Sequence, residues 1–179
     1  MSVVCAKIYP IEAEKNAQNR NNSGVLYMKD KDYFAAIKEF KIAIAINPNR
    51  QTSATYYNNL GTAYLELGKI QKKHNLPKGG ADFASFAQSA FEDAIKQDCM
   101  QLSFYKNLVS SFELQGTLKS KRAQYSSDTT NPFNVIIVAL IDEKLGNKKN
   151  MQIALDDFIV NHPKLLITVA LKDYLRLKE

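Results

Sequence analysis

The chain has 179 residues, of which 45% are hydrophobic and 23% are charged, with seven glycines and five prolines. This length suits one domain with a sizeable core and is marginal for two, and the composition excludes a collagenous, low-complexity or wholly disordered chain. The net charge of +6 favours anionic partners. Apolar runs such as Val135–Ile141 are too short to cross a bilayer, so we expect no transmembrane segment.

Residues 1–16 are interpreted either as an N-terminal extension or as the start of the first helix. Val3–Ala6 form a small apolar patch, but a signal peptide needs a basic start and roughly 7–15 apolar residues, and neither is present. Cys5 and Cys99 cannot form a disulfide framework and match no metal-ligand spacing, which favours a reducing compartment. We therefore expect a cytoplasmic protein, with export of a longer precursor left open.

Small and aromatic residues recur at fixed spacings along the chain. The first block contains Gly24, Tyr27, Ala36, Phe40 and Ala43. The second block has the same spacings within each half, at Gly61, Tyr64, Ala87, Phe91 and Ala94. A third block keeps Tyr105, Leu108, Phe112 and Gly116, and a fourth block around Ala139 and Gly146 is weaker. Over residues 17–163 the pattern resembles the tetratricopeptide repeat, a helix–turn–helix unit, with two well-matched repeats followed by two degenerate ones.

The resemblance implies an all-α fold, a right-handed superhelical solenoid of about four antiparallel helix pairs. An insertion at residues 69–82 would extend a first helix and then form a loop. In this fold Gly24 and Gly61 would let the paired helix approach closely. Phe40 and Phe91 would then fill the seam between the two helices of each pair.

Helix ends are predicted from glycine and proline. Gly68, Gly116 and Gly146 are expected to cap first helices with a positive φ, and Pro48 is expected to stop a second helix. Residues 164–179 carry apolar side chains on most of one face. They are interpreted as a C-terminal capping helix that covers the last repeat, or alternatively as a face offered to a second copy or another protein.

An asparagine recurs two residues before the small-residue position of three consecutive repeats, as Asn22, Asn59 and Asn107. Because a carboxamide is both donor and acceptor, it can hold one peptide unit of an extended chain. This register resembles the asparagine ladder of O-linked N-acetylglucosamine transferase, which implies that the three asparagines bind a peptide in the concave groove. The alternative is that each asparagine bonds to a neighbouring helix. Groove neighbours by the same register include Met28, Thr62 and Lys106.

Co-chaperone members of the family hold a C-terminal carboxylate with a clamp of lysine, arginine and asparagine. Asn59 matches one clamp position, but the others hold Asn21, Val25, Ser103 and Asn107. The cationic part of the clamp is missing, so a heat-shock C-terminal tail is not expected as the ligand.

A basic patch within the insertion contains no acidic residue. Its members are Lys69, Lys72, Lys73 and Lys78. These lysines could attract an acidic protein, an anionic lipid surface or nucleic acid, or they could simply form a solvated loop. Nucleic acid is the less favoured ligand because the basic groups are not interleaved with aromatic residues that could stack on bases.

No catalytic constellation, metal-ligand set or phosphate-binding loop is found, so we expect no enzyme, metal, cofactor or small-molecule substrate. The sequence predicts a protein-interaction module or scaffold that binds a peptide segment or partner protein in the concave groove. The alternatives are a self-assembling structural protein that forms homo-oligomers, or a binder of anionic membranes or nucleic acid through the lysine-rich insertion.

Overall fold

The computed structural model describes residues 2–47, 51–77 and 81–178, with side chains from residue 11 onward. Pro48 and Lys78, for which the sequence predicts roles, lie outside these residues. The described ranges contain nine helices and no strand, so the all-α prediction is confirmed. The helices are α1 (Ser2–Lys29), α2 (Tyr33–Ile46), α3 (Ser53–Lys73), α4 (Phe83–Gln97), α5 (Leu102–Gln115), α6 (Leu118–Ser127), α7 (Asn134–Lys144), α8 (Lys148–Asn161) and α9 (Leu166–Arg176). They form two compact units, residues 1–97 and residues 98–179.

In the first unit each helix packs against the next, and α1 also contacts α3. A tight turn joins α1 to α2, in which Lys31 takes a left-handed conformation with φ of 61°. Asp32 then caps α2, because its carboxylate accepts a hydrogen bond of 3.1 Å from the backbone N–H of Ala35. The short turn and the cap fold α2 back along α1 as a helix pair.

Two glycine–phenylalanine contacts set the distance between paired helices in this unit. A Cβ atom built on Gly24 would lie 2.5 Å from the ring of Phe40, and one built on Gly61 would lie 2.5 Å from the ring of Phe91. Both rings are fully buried. The prediction that these glycines allow close approach and that the phenylalanines fill the seam is therefore confirmed for both pairs.

The alanines that recur at fixed spacing are also explained by close packing between helices. Ala36, Ala43, Ala87 and Ala94 are fully buried. A shared core cluster joins α2, α3 and α4, and it contains Phe40, Leu60 and Leu67. Burial of this apolar surface holds the second helix of the first pair against the first helix of the next pair.

Gly116 and Gly146 have φ of 74° and 86°, so the prediction of left-handed glycine caps is confirmed at these two positions. The prediction is wrong for Gly68, which is buried inside α3. Helix-favouring residues follow it, so α3 continues to Lys73 and reaches the insertion, as predicted for a lengthened first helix. The side chain of Gln71 donates hydrogen bonds to the backbone oxygens of Pro77 (3.2 Å) and Ala81 (3.1 Å), which ties the described parts of the loop to α3.

In the second unit the short helix α6 has no buried residue and is held to α7 by an ion pair. The guanidinium of Arg122 donates two hydrogen bonds, of 2.7 and 2.8 Å, to the carboxylate of Asp142. Asp142 is 3% exposed, and the bonds from Arg122 lower the pKa of its carboxyl group. The terminal helix α9 packs against α8 and α5.

Replacing Gly61 with alanine tests the close approach of α3 and α4. The added methyl group would lie 2.5 Å from the Phe91 ring, which must shift. Alanine favours a helix over glycine by about 1 kcal/mol, yet we expect overpacking to lower the free energy of unfolding by about 1–3 kcal/mol net. Urea unfolding followed by circular dichroism measures this. Asn22→Ala, at an exposed position of α1, is the control for propensity alone, and a stabilised Gly61→Ala variant would contradict the interpretation.

The Arg122–Asp142 pair predicts a loss of stability in acid. A carboxyl group whose pKa is lower in the folded than in the unfolded state stabilises the fold above the unfolded pKa, and this contribution is lost as the pH falls through the folded pKa. We expect Arg122→Met to cost about 2–3 kcal/mol at neutral pH and to weaken the decline in stability below about pH 5. Unfolding curves across this pH range, with the exposed Lys119→Met on the same helix as control, provide the measurement. If the free energy of unfolding falls with pH to the same extent in Arg122→Met and the wild type, the assigned role of the ion pair is wrong.

Candidate peptide-binding face

The first unit brings two asparagines of neighbouring first helices into contact. The side-chain amide of Asn59 on α3 donates a hydrogen bond of 2.8 Å to the side-chain oxygen of Asn21 on α1. Asn21 is 8% exposed, whereas Asn59 is half-buried. The bond between helices corresponds to the structural alternative from the sequence, but a carboxamide has a second N–H and an oxygen with two lone pairs, so it can also engage a ligand.

Two further polar residues are close to this pair in sequence, Asn22 directly after Asn21 and Thr62 about one helical turn after Asn59. Asn22 follows Asn21 on α1 and is exposed. Thr62, three residues after Asn59, is half-buried and donates a hydrogen bond of 2.9 Å to the backbone oxygen of Asn58. We call Asn21, Asn22, Asn59 and Thr62 the first-helix face.

Met28 differs from the other predicted groove residues. It is half-buried and packs against the core cluster that contains Phe40 and Leu60. Its thioether therefore already contributes to the packing between α1 and α2.

The two remaining groove candidates are on α5, in the second unit. Asn107 is half-buried and Lys106 is exposed. The ammonium group of Lys106 lies 5.0 Å from the ring centroid of Tyr174 on α9, within the range of a cation–π interaction. The terminal helix therefore contacts the same face of α5 that the sequence assigns to the groove.

Glu143 on α7 fixes the position of α9. Its carboxylate accepts a hydrogen bond from the hydroxyl of Tyr174 and pairs with the ammonium group of Lys178 at 2.6 Å. Burial alone would raise the pKa of Glu143, but the bonds from Lys178 and Tyr174 outweigh burial and lower it. Neither Glu143 nor Tyr174 stands out in the sequence as a site residue, because their pairing joins helices 31 residues apart.

The basic patch is only partly described. Lys69 is exposed and pairs with Glu66 at 2.6 Å, one turn earlier on α3. Lys72 and Lys73 are exposed in the last turn of the same helix, and Lys78 lies outside the described residues. The ion pair with Glu66 partly offsets the positive charge of Lys69.

Across the described ranges, histidine, cysteine, aspartate and glutamate do not gather in groups of three that could hold a metal ion. None of the helices the structure describes combines the length and apolar character that crossing a membrane requires.

No protein-family model and no curated protein matches the chain. Among solved structures, the chain is similar to one described as the functional characterization of Pseudomonas aeruginosa pilF, with 14% identity and a TM-score of 0.50. That match covers 89% of this chain and 67% of the other. A thermophilic tetratricopeptide-repeat protein from Thermus thermophilus matches with 17% identity and a TM-score of 0.40, covering 89% of this chain and 98% of the other. Together with the repeated glycine–phenylalanine packing, the similarity to the Pseudomonas aeruginosa structure shows that the chain has the helical-repeat fold of tetratricopeptide-repeat proteins.

Proposed function

We propose that the protein is an interaction module that binds an extended peptide segment of a partner protein on the first-helix face. The observation that carries the proposal is the hydrogen bond between Asn59 and Asn21. It places two carboxamides side by side on the adjacent first helices α1 and α3, with the exposed Asn22 next in sequence.

The chemistry suits recognition of a peptide backbone rather than of a particular side chain. An extended segment offers N–H and C=O groups along its length, and a carboxamide can pair with both kinds of group. The bond to Asn21 restrains the Asn59 side chain before any ligand arrives, which reduces the entropy lost on binding. Preformed helices limit the ordering cost on the receptor side in the same way.

The second unit offers a less open surface for the same purpose. Tyr174 on α9 lies against Lys106, one residue before the third asparagine of the register. We therefore assign the primary peptide site to the first unit and give Asn107 a secondary role.

Variants of Asn59 test the proposal. Asn59→Ala leaves the nearly buried oxygen of Asn21 without its partner and should cost about 1–3 kcal/mol of stability. The double variant Asn21→Ala/Asn59→Ala removes both polar groups, so it should recover most of this loss. For peptides selected for binding to the wild-type protein, we expect both variants to have about tenfold lower affinity than the wild type, a difference of about 1.4 kcal/mol in binding free energy.

A phage-displayed peptide library screened on the wild-type protein supplies the ligand, and isothermal titration calorimetry measures its affinity. Asn150→Ala, at an exposed position of α8, is the matched control. Full affinity in the stable double variant would contradict the proposed role of the asparagines.

A second candidate function is self-association through α9. Leu166 and Val169 are exposed and, three residues apart, lie on one face of this helix, and the exposed Leu177 directly follows its last residue. Such an apolar row is typical of a surface that another chain covers.

Light scattering across a concentration series tests self-association. We expect the wild type to gain mass with concentration and Val169→Glu to remain monomeric, because a charge on the apolar row opposes its burial. Lys172→Gln, at an exposed position of the same helix, changes the net charge by the same single unit and is the matched control. A monodisperse wild-type monomer at every concentration would eliminate this candidate.

A further inference from the structure

Apolar side chains and two lysines line a groove on the exposed side of α2. A shallow groove of about 440 Å³ is lined by Phe34, Ile37, Lys38, Lys41, Ile42 and Ala45. We call it the lysine groove. The spacing of these residues follows the helical repeat, so they form one continuous stripe along α2. Phe34 is 66% exposed, which is unusual for so large an apolar side chain.

Neighbouring aromatic rings hold Phe34 in place at one end of the groove. Its ring meets that of Phe83 on α4 edge to face, with 6.1 Å between centroids. Phe83 in turn stacks on Tyr64 of α3 at 6.3 Å. The ammonium group of Lys41 lies 5.7 Å from the Tyr64 ring. The rings therefore form a fixed platform beside the lysines.

The charges in the lysine groove have one sign. Lys38 and Lys41 are its charged lining residues, and both are exposed. The acidic residue on α2, Glu39, pairs instead with Arg20 of α1 at 3.2 Å. An apolar stripe with two cations and no carboxylate among its lining residues is complementary to an acidic apolar ligand.

We infer that the lysine groove binds an acidic amphipathic helix of a partner protein. Apolar side chains of that helix would pack on Phe34 and Ile42, and its carboxylates would pair with Lys38 and Lys41. A protein helix fits better than a lipid surface because the lining residues form one narrow stripe along a single helix, which matches the apolar face of one amphipathic helix. The site uses none of the residues of the first-helix face, so it would bind independently of the peptide site proposed above.

Fluorescence anisotropy with a designed probe tests the inference. The probe is a fluorescein-labelled helical peptide with leucine on one face and glutamate on the other, and its sequence-scrambled form is the negative control. We expect the wild type to bind the probe, and Lys38→Glu/Lys41→Glu to bind it at least about tenfold more weakly because like charges then face each other. Phe34→Ser, at an exposed position, should weaken binding without reversing the charge.

A matched charge control separates the groove from the overall positive charge of the chain. Lys148→Glu/Lys149→Glu changes the net charge by the same amount at exposed positions of α8. This control should keep wild-type affinity for the probe, and so should Asn21→Ala/Asn59→Ala. Equal weakening by the two lysine double variants would overturn the inference, as would tight binding of the scrambled peptide.

Vesicles of phosphatidylserine and phosphatidylcholine complete the test. We expect the wild type to bind the amphipathic probe in the presence of vesicles and to sediment poorly with them. If the protein instead binds the vesicles through Lys38 and Lys41 and ignores the peptide, the occupant is a lipid surface and the inference is wrong.

Discussion

The close approach of paired helices in the first unit depends on glycine standing opposite phenylalanine. Phe40 occupies the space beside Gly24 and Phe91 the space beside Gly61, in each case where a methyl group would collide with the ring. Because the same contact occurs in both pairs, α1–α2 and α3–α4 have similar packing. The shared core around Leu60 then joins the pairs and brings α1 into contact with α3. The pairing of Asn21 with Asn59 is a consequence of this packing.

The second unit adds ion pairs between its helices to a buried apolar core. Helix α6 has no buried residue, and its attachment to α7 depends on the nearly buried Asp142 and its two bonds from Arg122. Helix α9 combines both kinds of interaction, since Ile167 and Leu171 are fully buried while Glu143 holds its polar end. Such a carboxylate, surrounded by donors, restrains helix position because charge-assisted hydrogen bonds are directional. In this unit, ion pairs therefore add to the apolar core in positioning α6 and α9.

The two surfaces assigned to ligands differ in what they would recognise. The first-helix face presents carboxamides, which can pair with any peptide backbone and so give little side-chain specificity. The lysine groove presents cations beside an aromatic platform, which selects for acidic and apolar side chains. A module with one surface of each kind could bind one partner at two places, and the combined affinity would then depend on the spacing between the two segments.

The sequence by itself determined the helical class, the two good repeats, the glycine–phenylalanine seams and the caps at Gly116 and Gly146. These features are local, because helical periodicity and φ preferences depend on residues within a few positions of each other. Only the tertiary structure decided that Gly68 is inside a helix. It also decided three contacts between side chains: the hydrogen bond from Asn59 to Asn21, the ion pair of Arg122 with Asp142, and the contact of Lys106 with the Tyr174 ring. Each of these three side-chain partnerships joins two helices across the packed interior or its edge. Which side chains pair depends on the distance between the two helices and on the rotation of each helix about its axis. The spacing of repeats along the chain does not contain that information.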